Sequence, residues 1–497
     1  MSVDMKFTAH AWTRALILPL VFLLLLAGVG NVQARDWVDL VTQPFVDPLR
    51  VERMTEETTK ILPGDSQAIA CDASSFDSST ALTLAMAVEL TLCHHPQLQG
   101  AWATIKVQTA QVGEARAAYL PTVNVGASRT TQKTQYPESQ FLVNSERSST
   151  AQFATLTWRL LDFGGRAANS RAADALLEAA VASQNAVLQK TLSNVIGLYF
   201  DAQTAKASRD AKEKGTLLAR QTLETTRRRE ARGAGAQSDT LQARTALAKA
   251  ELDSGRAVGA HEKALALLVV AMGLPPSARL QGLVLAQDEA PPETALKNDL
   301  ATWLALAYDQ HPGLLAIRAQ LESAREKLIA VRAEGRPTLD LTWSQYVNGR
   351  PNQALSTAQS TESAVGLTVN FPLFEGFART YKVNGAQAQI EVKEAELRET
   401  QNQILGEVVK SHADAVAALR NLGASRHLIE AAQEALENVQ RKYDRGVVDI
   451  LEMLSVQMAL TDSELERVRS LADWRSARLR LLANAGTVGI KDVRGRN

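Results

Sequence analysis

The densest set of side chains able to take part in metal or redox chemistry is Cys71, Cys93 and the pair His94-His95. Neighbouring residues on a helix point about 100° apart, whereas zinc sites take ligands three or four residues apart or from paired loops. The set therefore does not read as a metal centre. In an oxidising compartment a Cys71–Cys93 disulfide is preferred over two free thiols, and His95-Pro96 reads as a helix stop. His261, His311, His412 and His427 are scattered along helical stretches. Gly233-Ala234-Gly235 lacks the preceding strand that a dinucleotide loop needs, and no phosphate loop or nucleophile elbow occurs. The sequence offers no catalytic residue, no cofactor site and no metal site.

What must be positioned is therefore something other than a reaction centre. In 497 residues, 54 Lys and Arg balance 54 Asp and Glu. That balance leaves no basic excess for a polyanion and excludes nucleic acid as a partner. Aromatic residues make up 5% while Ala, Leu, Gln, Glu and Arg abound, a composition that favours long helices. Residues 1–34 read as a secretory leader: Lys6 and Arg14, an apolar run from Ala15 to Val29, then Val32-Gln33-Ala34 before Arg35. A retained anchor helix is the alternative, disfavoured because the run is short and contains Pro19. No later apolar stretch approaches spanning length, so membrane residence would require strands.

The chain repeats itself once. His95-Pro96-Gln97-Leu98 recurs as His311-Pro312-Gly313-Leu314, and Leu120-Pro121-Thr122-Val123 as Arg336-Pro337-Thr338-Leu339, both 216 residues later. Leu160-Leu161-Asp162 with Arg166 recurs as Leu373-Phe374-Glu375 with Arg379, and Arg232-Gly233 as Arg445-Gly446, both 213 residues later. The offset changes between 121 and 160, where a loop tolerates a length change. The expected organisation is a 35–80 N-terminal segment, a first repeat over 81–275, a linker over 276–298, a second repeat over 299–486 and a tail over 487–497.

Each repeat reads as helix, strand pair, very long helix. Strands are expected at about 121–135 and 150–162, where Val123, Val125 and Ala127 alternate with polar residues, as do Ala154, Leu156, Trp158 and Leu160. The second pair falls at about 337–346 and 363–373, with Leu339, Leu341 and Trp343, then Val365, Leu367, Val369 and Phe371. No proline interrupts Gly164–Glu230 or Phe377–Arg445, which as helices would each reach roughly 100 Å. Ala415, Leu419, Leu422, Ser425, Ile429, Ala432, Leu436, Val439 and Tyr443 trace a heptad seam. Strands of this length, apolar on one face, can cross a bilayer only in a closed barrel. Four cannot close, so three copies giving twelve strands are expected; a periplasmic sheet capping a coiled coil is the alternative.

The leader, the repeat, and the junctions Leu160-Leu161-Asp162-Phe163-Gly164-Gly165-Arg166 and Phe371-Pro372-Leu373-Phe374-Glu375-Gly376 together resemble the TolC family of outer-membrane factors. Leu82-Thr83-Leu84 with Ala87-Val88 and His95-Pro96 is similar to that family's opening helix, and Tyr443-x-x-Gly446 with Leu454 to its last turn-back. The resemblance implies a mixed α and β homotrimer: a twelve-stranded outer-membrane β-barrel surrounded by lipid, continuing into a periplasmic α-helical coiled-coil barrel. It also implies a periplasmic adaptor protein and an inner-membrane ABC or proton-driven pump as partners. Gly233 and Gly446 mark hairpin tips for adaptor docking. Asp239 falls on the family's latch aspartate, Tyr443 on its latch tyrosine and Glu452 on an acidic ring position. Val448 stands at the latch arginine position and Ser455 at the second acidic position, with Asp449 beside Val448 as substitute acidity. Acidic groups multiplied by threefold symmetry at a constriction attract cations; helix capping and solvation are their other reading. The basic run Arg227-Arg228-Arg229 with Arg232 reads foremost as a solvated helix end.

The expected function is the exit duct of a tripartite export system. Type I protein secretion is preferred, because no lipidation cysteine follows the leader and the Cys71–Cys93 pair resembles secretion members. Small-molecule efflux is the alternative, and a pore-less coiled-coil stalk or adhesin the weaker one.

Overall fold

The computed structural model describes residues 81–137, 145–278, 282–283, 296, 299–350, 360–489 and 492–493. The expected leader, the 35–80 segment, Cys71, most of the linker and the end of the tail lie outside them.

Both repeats build the same series of elements. The first runs α1 (Leu84–His94), α2 (Pro96–Ala117), β1 (Thr122–Thr134), β2 (Ser145–Leu161), α3 (Gly165–Ala231) and α4 (Gln237–Ala271). The second runs α5 (Leu300–Gln310), α6 (Pro312–Ala333), β3 (Thr338–Val347), β4 (Thr361–Asn370), α7 (Ala378–Asp444) and α8 (Ile450–Asn484). Corresponding helices have equal lengths of 11, 22, 67 and 35 residues. Only the strands differ, 13 and 17 residues against 10 and 10, so the change of repeat offset falls within the strand pair. β2 starts at Ser145, five residues before its expected start, because Thr131 and Ser148 and their polar neighbours continue the ladder. β4 stops at Asn370 instead of 373, since Pro372 has no N–H to give.

His95 both stops α1 and starts α2. Its Nδ1 accepts from the Gln97 N–H at 3.3 Å, and Pro96 occupies the first helical position, where a missing N–H is harmless. His311 repeats this toward Gly313 at 3.1 Å. The two helix-ending glycines pack on these breaks. Gly273 (φ +78) would bring a Cβ within 2.8 Å of the His94 carbonyl oxygen, and Gly486 (φ +84) within 3.4 Å of His311 Cα.

The strand-to-helix junctions use two successive left-handed residues, Phe163-Gly164 in the first repeat and Gly376-Phe377 in the second, with the phenylalanine and glycine exchanged. Asp162 accepts from the Arg166 N–H at 2.6 Å. The Arg166 guanidinium donates to the carbonyls of Arg159 (2.6 Å), Leu160 (3.2 Å) and Ala118 (3.4 Å) and stacks on Tyr119. Arg379 donates to Pro372 O at 2.9 Å and lies over Gly335, which takes the place of Tyr119. One arginine per repeat thus ties the end of a strand to the start of a long helix.

The largest core cluster joins α1, α3, α4 and α8 through Val88, Leu188, Leu192, Ile196, Leu268 and Leu479. A second joins α5, α7 and α8 through Trp303, Val408, Leu422, Trp474 and Leu481. Along α7 the buried positions are Val408, Ser411, Ala415, Ala418, Leu422, Ser425, Val439 and Tyr443. The steps of three and four from Val408 to Ser425, resumed at Val439 and Tyr443, make a coiled-coil seam; Ala418 is buried in it and the expected Leu419 packs against the same cluster. No described helix is long and apolar enough to cross a membrane.

Candidate functional site

The four strands form one antiparallel sheet in the order β1-β2-β3-β4, leaving the outer edges of β1 and β4 unpaired among the described residues. Directly opposed residues share a face. One face carries the rows Val123–Leu156–Trp343–Val365, Trp158–Leu341–Leu367 and Leu339–Val369. It is open: Val123 is 60% exposed, Val365 73% and Val369 68%. A face this apolar and this exposed needs an apolar environment. The opposite face carries Asn124–Thr155–Ser344 and Thr122–Thr157–Thr342, and Arg159 paired with Asp340 at 3.0 Å. Leu160 is skipped by the ladder at an irregularity, which puts Leu161 opposite Leu339. This corrects the unbroken alternation expected through Leu160. Trp158 Nε1 donates to the Tyr119 carbonyl at 2.9 Å, holding β2 against the end of α2.

At the far ends of the long helices lie two hairpins. Gly233 (φ +69) reverses the chain between α3 and α4, and Gly446 (φ +74) between α7 and α8. Both turns close alike, with Ala234 N donating to Arg229 O at 2.9 Å and Val447 N to Lys442 O at 3.0 Å. Only glycine takes this left-handed position freely. The second tip has its own small core of Val439, Tyr443, Ile450 and Met453, with Val448 against it.

The structure places the candidate residues differently from one another. Asp449 is the N-cap of α8 and accepts from the Glu452 N–H at 2.9 Å. Glu452 sits exposed in the first turn, and Ser455 is exposed one turn on. Asp239, in the first turn of α4, accepts from Ser238 Oγ at 3.3 Å. Tyr443 is buried, and its partner is a residue assigned to a solvated face by the sequence. Arg229 lies with its guanidinium 4.5 Å from the centre of the Tyr443 ring and donates to the Tyr443 carbonyl at 3.1 Å. This contact clasps the first tip to the second. No local pattern marks Arg229 within the run Arg227-Arg228-Arg229; Arg228 pairs with Glu224 at 3.2 Å on the exposed face, as a solvated residue does.

Cys93 takes part in a disulfide; Cys71, its expected partner, lies outside the described residues. Among the described residues no three His, Cys, Asp or Glu side chains are grouped to hold a metal ion.

The profile of a family described as outer membrane efflux protein matches residues 87–274 and 303–487, the spans of the two repeats. Protein CyaE of Bordetella pertussis is 33% identical over 414 residues, covering 83% of this chain and 86% of that protein. The proteases secretion protein PrtF of Dickeya chrysanthemi is 25% identical over 427 residues, covering 84% and 90%. The solved structure of the outer membrane protein VceC from Vibrio cholerae superposes with a TM-score of 0.69 at 19% identity, covering 82% of this chain and 97% of that one.

Proposed function

Because the chain belongs to the outer membrane efflux protein family, we propose that it works as the exit duct of a tripartite system that exports polypeptides. The observation that carries this reading is the sheet: four antiparallel strands, one exposed apolar face, and an unpaired edge on each side. Hydrocarbon satisfies no backbone N–H or C=O, so these edges must pair with further copies. Three chains give twelve strands, within the range of closed membrane barrels. The apolar rows then meet lipid and the Arg159–Asp340 face lines water.

Below the barrel the long helices carry the duct through the periplasm, and the two tips form its inner mouth. Arg229 on Tyr443 holds that mouth closed, while Asp239, Asp449 and Glu452, repeated in three copies, draw cations to it. The Gly233 and Gly446 turns present the tips to a periplasmic adaptor coupled to an inner-membrane pump. A Cys71–Cys93 disulfide fastens the N-terminal segment to α1. Polypeptide cargo is favoured by the similarity to a protein named for protease secretion. No side chain is assigned a catalytic task.

The test is the mass of the detergent-extracted protein by light scattering after subtraction of the detergent. Three chains per particle support the closed barrel. A monomer, or a protein extracted without detergent, overturns it.

A further inference from the structure

The water-lining face of the sheet is polar in every row but one. Phe153 stands directly opposite Gly126 on β1 and opposite Tyr346 on β3, and Tyr346 stands opposite Glu362 on β4. The row therefore crosses the whole sheet, and Phe153 and Tyr346 are the aromatic residues of that face among the described strands. The Phe153 ring reaches across the bare backbone of Gly126, where its Cζ lies 2.4 Å from the place a Cβ would occupy. Arg350 lies over the Tyr346 ring, 5.4 Å from its centre, and its Nε donates to Glu362 at 3.1 Å. An ion pair covers one end of the row and a glycine makes room at the other, so the rings lie along the wall.

We propose that Phe153 and Tyr346, repeated around the trimer, form a band of six rings on the inner barrel wall that engages apolar and aromatic side chains of a polypeptide in transit. This rests on the reading of the chain as a trimeric export duct. The band runs around an open wall and encloses no pocket. It suits a cargo touched from several sides at once: an extended chain, which presents a side chain about every 3.4 Å. Ring-on-ring contacts are weak singly and short-lived, so they slow a moving chain without trapping it. An aromatic ring over a glycine also steadies a strand pair, and the experiment must separate that role from contact with cargo.

Single pores in planar bilayers are exposed to a Gly/Ser-rich peptide long enough to thread the barrel and carrying three tryptophans, and to its twin with serine in their place. In wild-type pores the tryptophan peptide blocks the current for about ten times longer than its twin. Phe153→Leu, which still covers Gly126, and Tyr346→Ser, one strand away, each shorten that dwell several-fold in pores that still conduct. A dwell that survives both substitutions overturns the band. So does block by tetraphenylphosphonium that depends on the two rings while peptide block does not, which would assign them to small amphipathic cations. Conducting wild-type pores without a tryptophan effect overturn this inference alone. Absence of conducting pores overturns the duct as well.

Discussion

Arg229 reaches the neighbouring hairpin with two bonds of different kinds, a stack on the Tyr443 ring and a charged hydrogen bond to its carbonyl. Such a pair contributes about 1–2 kcal/mol per chain, and symmetry would apply it three times. Arg229→Ala should raise single-channel conductance several-fold, and Arg229→Lys should give an intermediate value because an ammonium cannot both stack and reach the carbonyl. Conductance unchanged in Arg229→Ala would remove the clasp. His311 makes a second prediction. Its Nδ1 accepts from Gly313 only when neutral, and burial holds its pKa below the ordinary 6.5. Below that pH the unfolded chain takes up a proton that the folded chain resists. Stability is therefore complete above about 6.5 and declines as the pH falls toward the lower folded value. The melting temperature should fall more between pH 7.5 and 5 in the wild type than in His311→Asn, which caps without titrating. Equal slopes would mean that His311 does not govern this break.

At the scale of elements, the junction arginines and the helix-ending glycines set how strands, long helices and helix breaks meet. Arg166 holds three carbonyls and an aromatic face, whereas Arg379 holds Pro372 O and Glu375. Arg166→Ala should lower the melting temperature of the detergent-solubilised protein more than Arg379→Ala does. Gly273→Ala should likewise cost more than Gly486→Ala. Both take a left-handed φ, but only at 273 does the new methyl meet backbone atoms within 3 Å. The reverse order in either pair would contradict these packing assignments. Much of this level was legible in the sequence, because alternation marked the strands and the absence of proline marked two helices of 67 residues. Three features were hidden. The outer part of β2 is polar on both faces and does not alternate. The irregularity at Leu160 depends on β3, far along the chain. Arg229 meets Tyr443 across 214 residues, a register between α3 and α7 that no local spacing encodes.

At the scale of the whole molecule, the sheet's exposed apolar face and free edges make a lone chain an incomplete object in water or in lipid. In the proposed duct, closure with two further copies would resolve both problems together, and would set the Arg159–Asp340 face and the acidic first turns of α4 and α8 around one axis. Single-channel recording of the purified protein in planar bilayers tests this account most directly. A three-chain particle should give discrete, small, cation-preferring steps, enlarged in Arg229→Ala. A protein that never enters the bilayer, or steps that prefer anions, would contradict the closed duct.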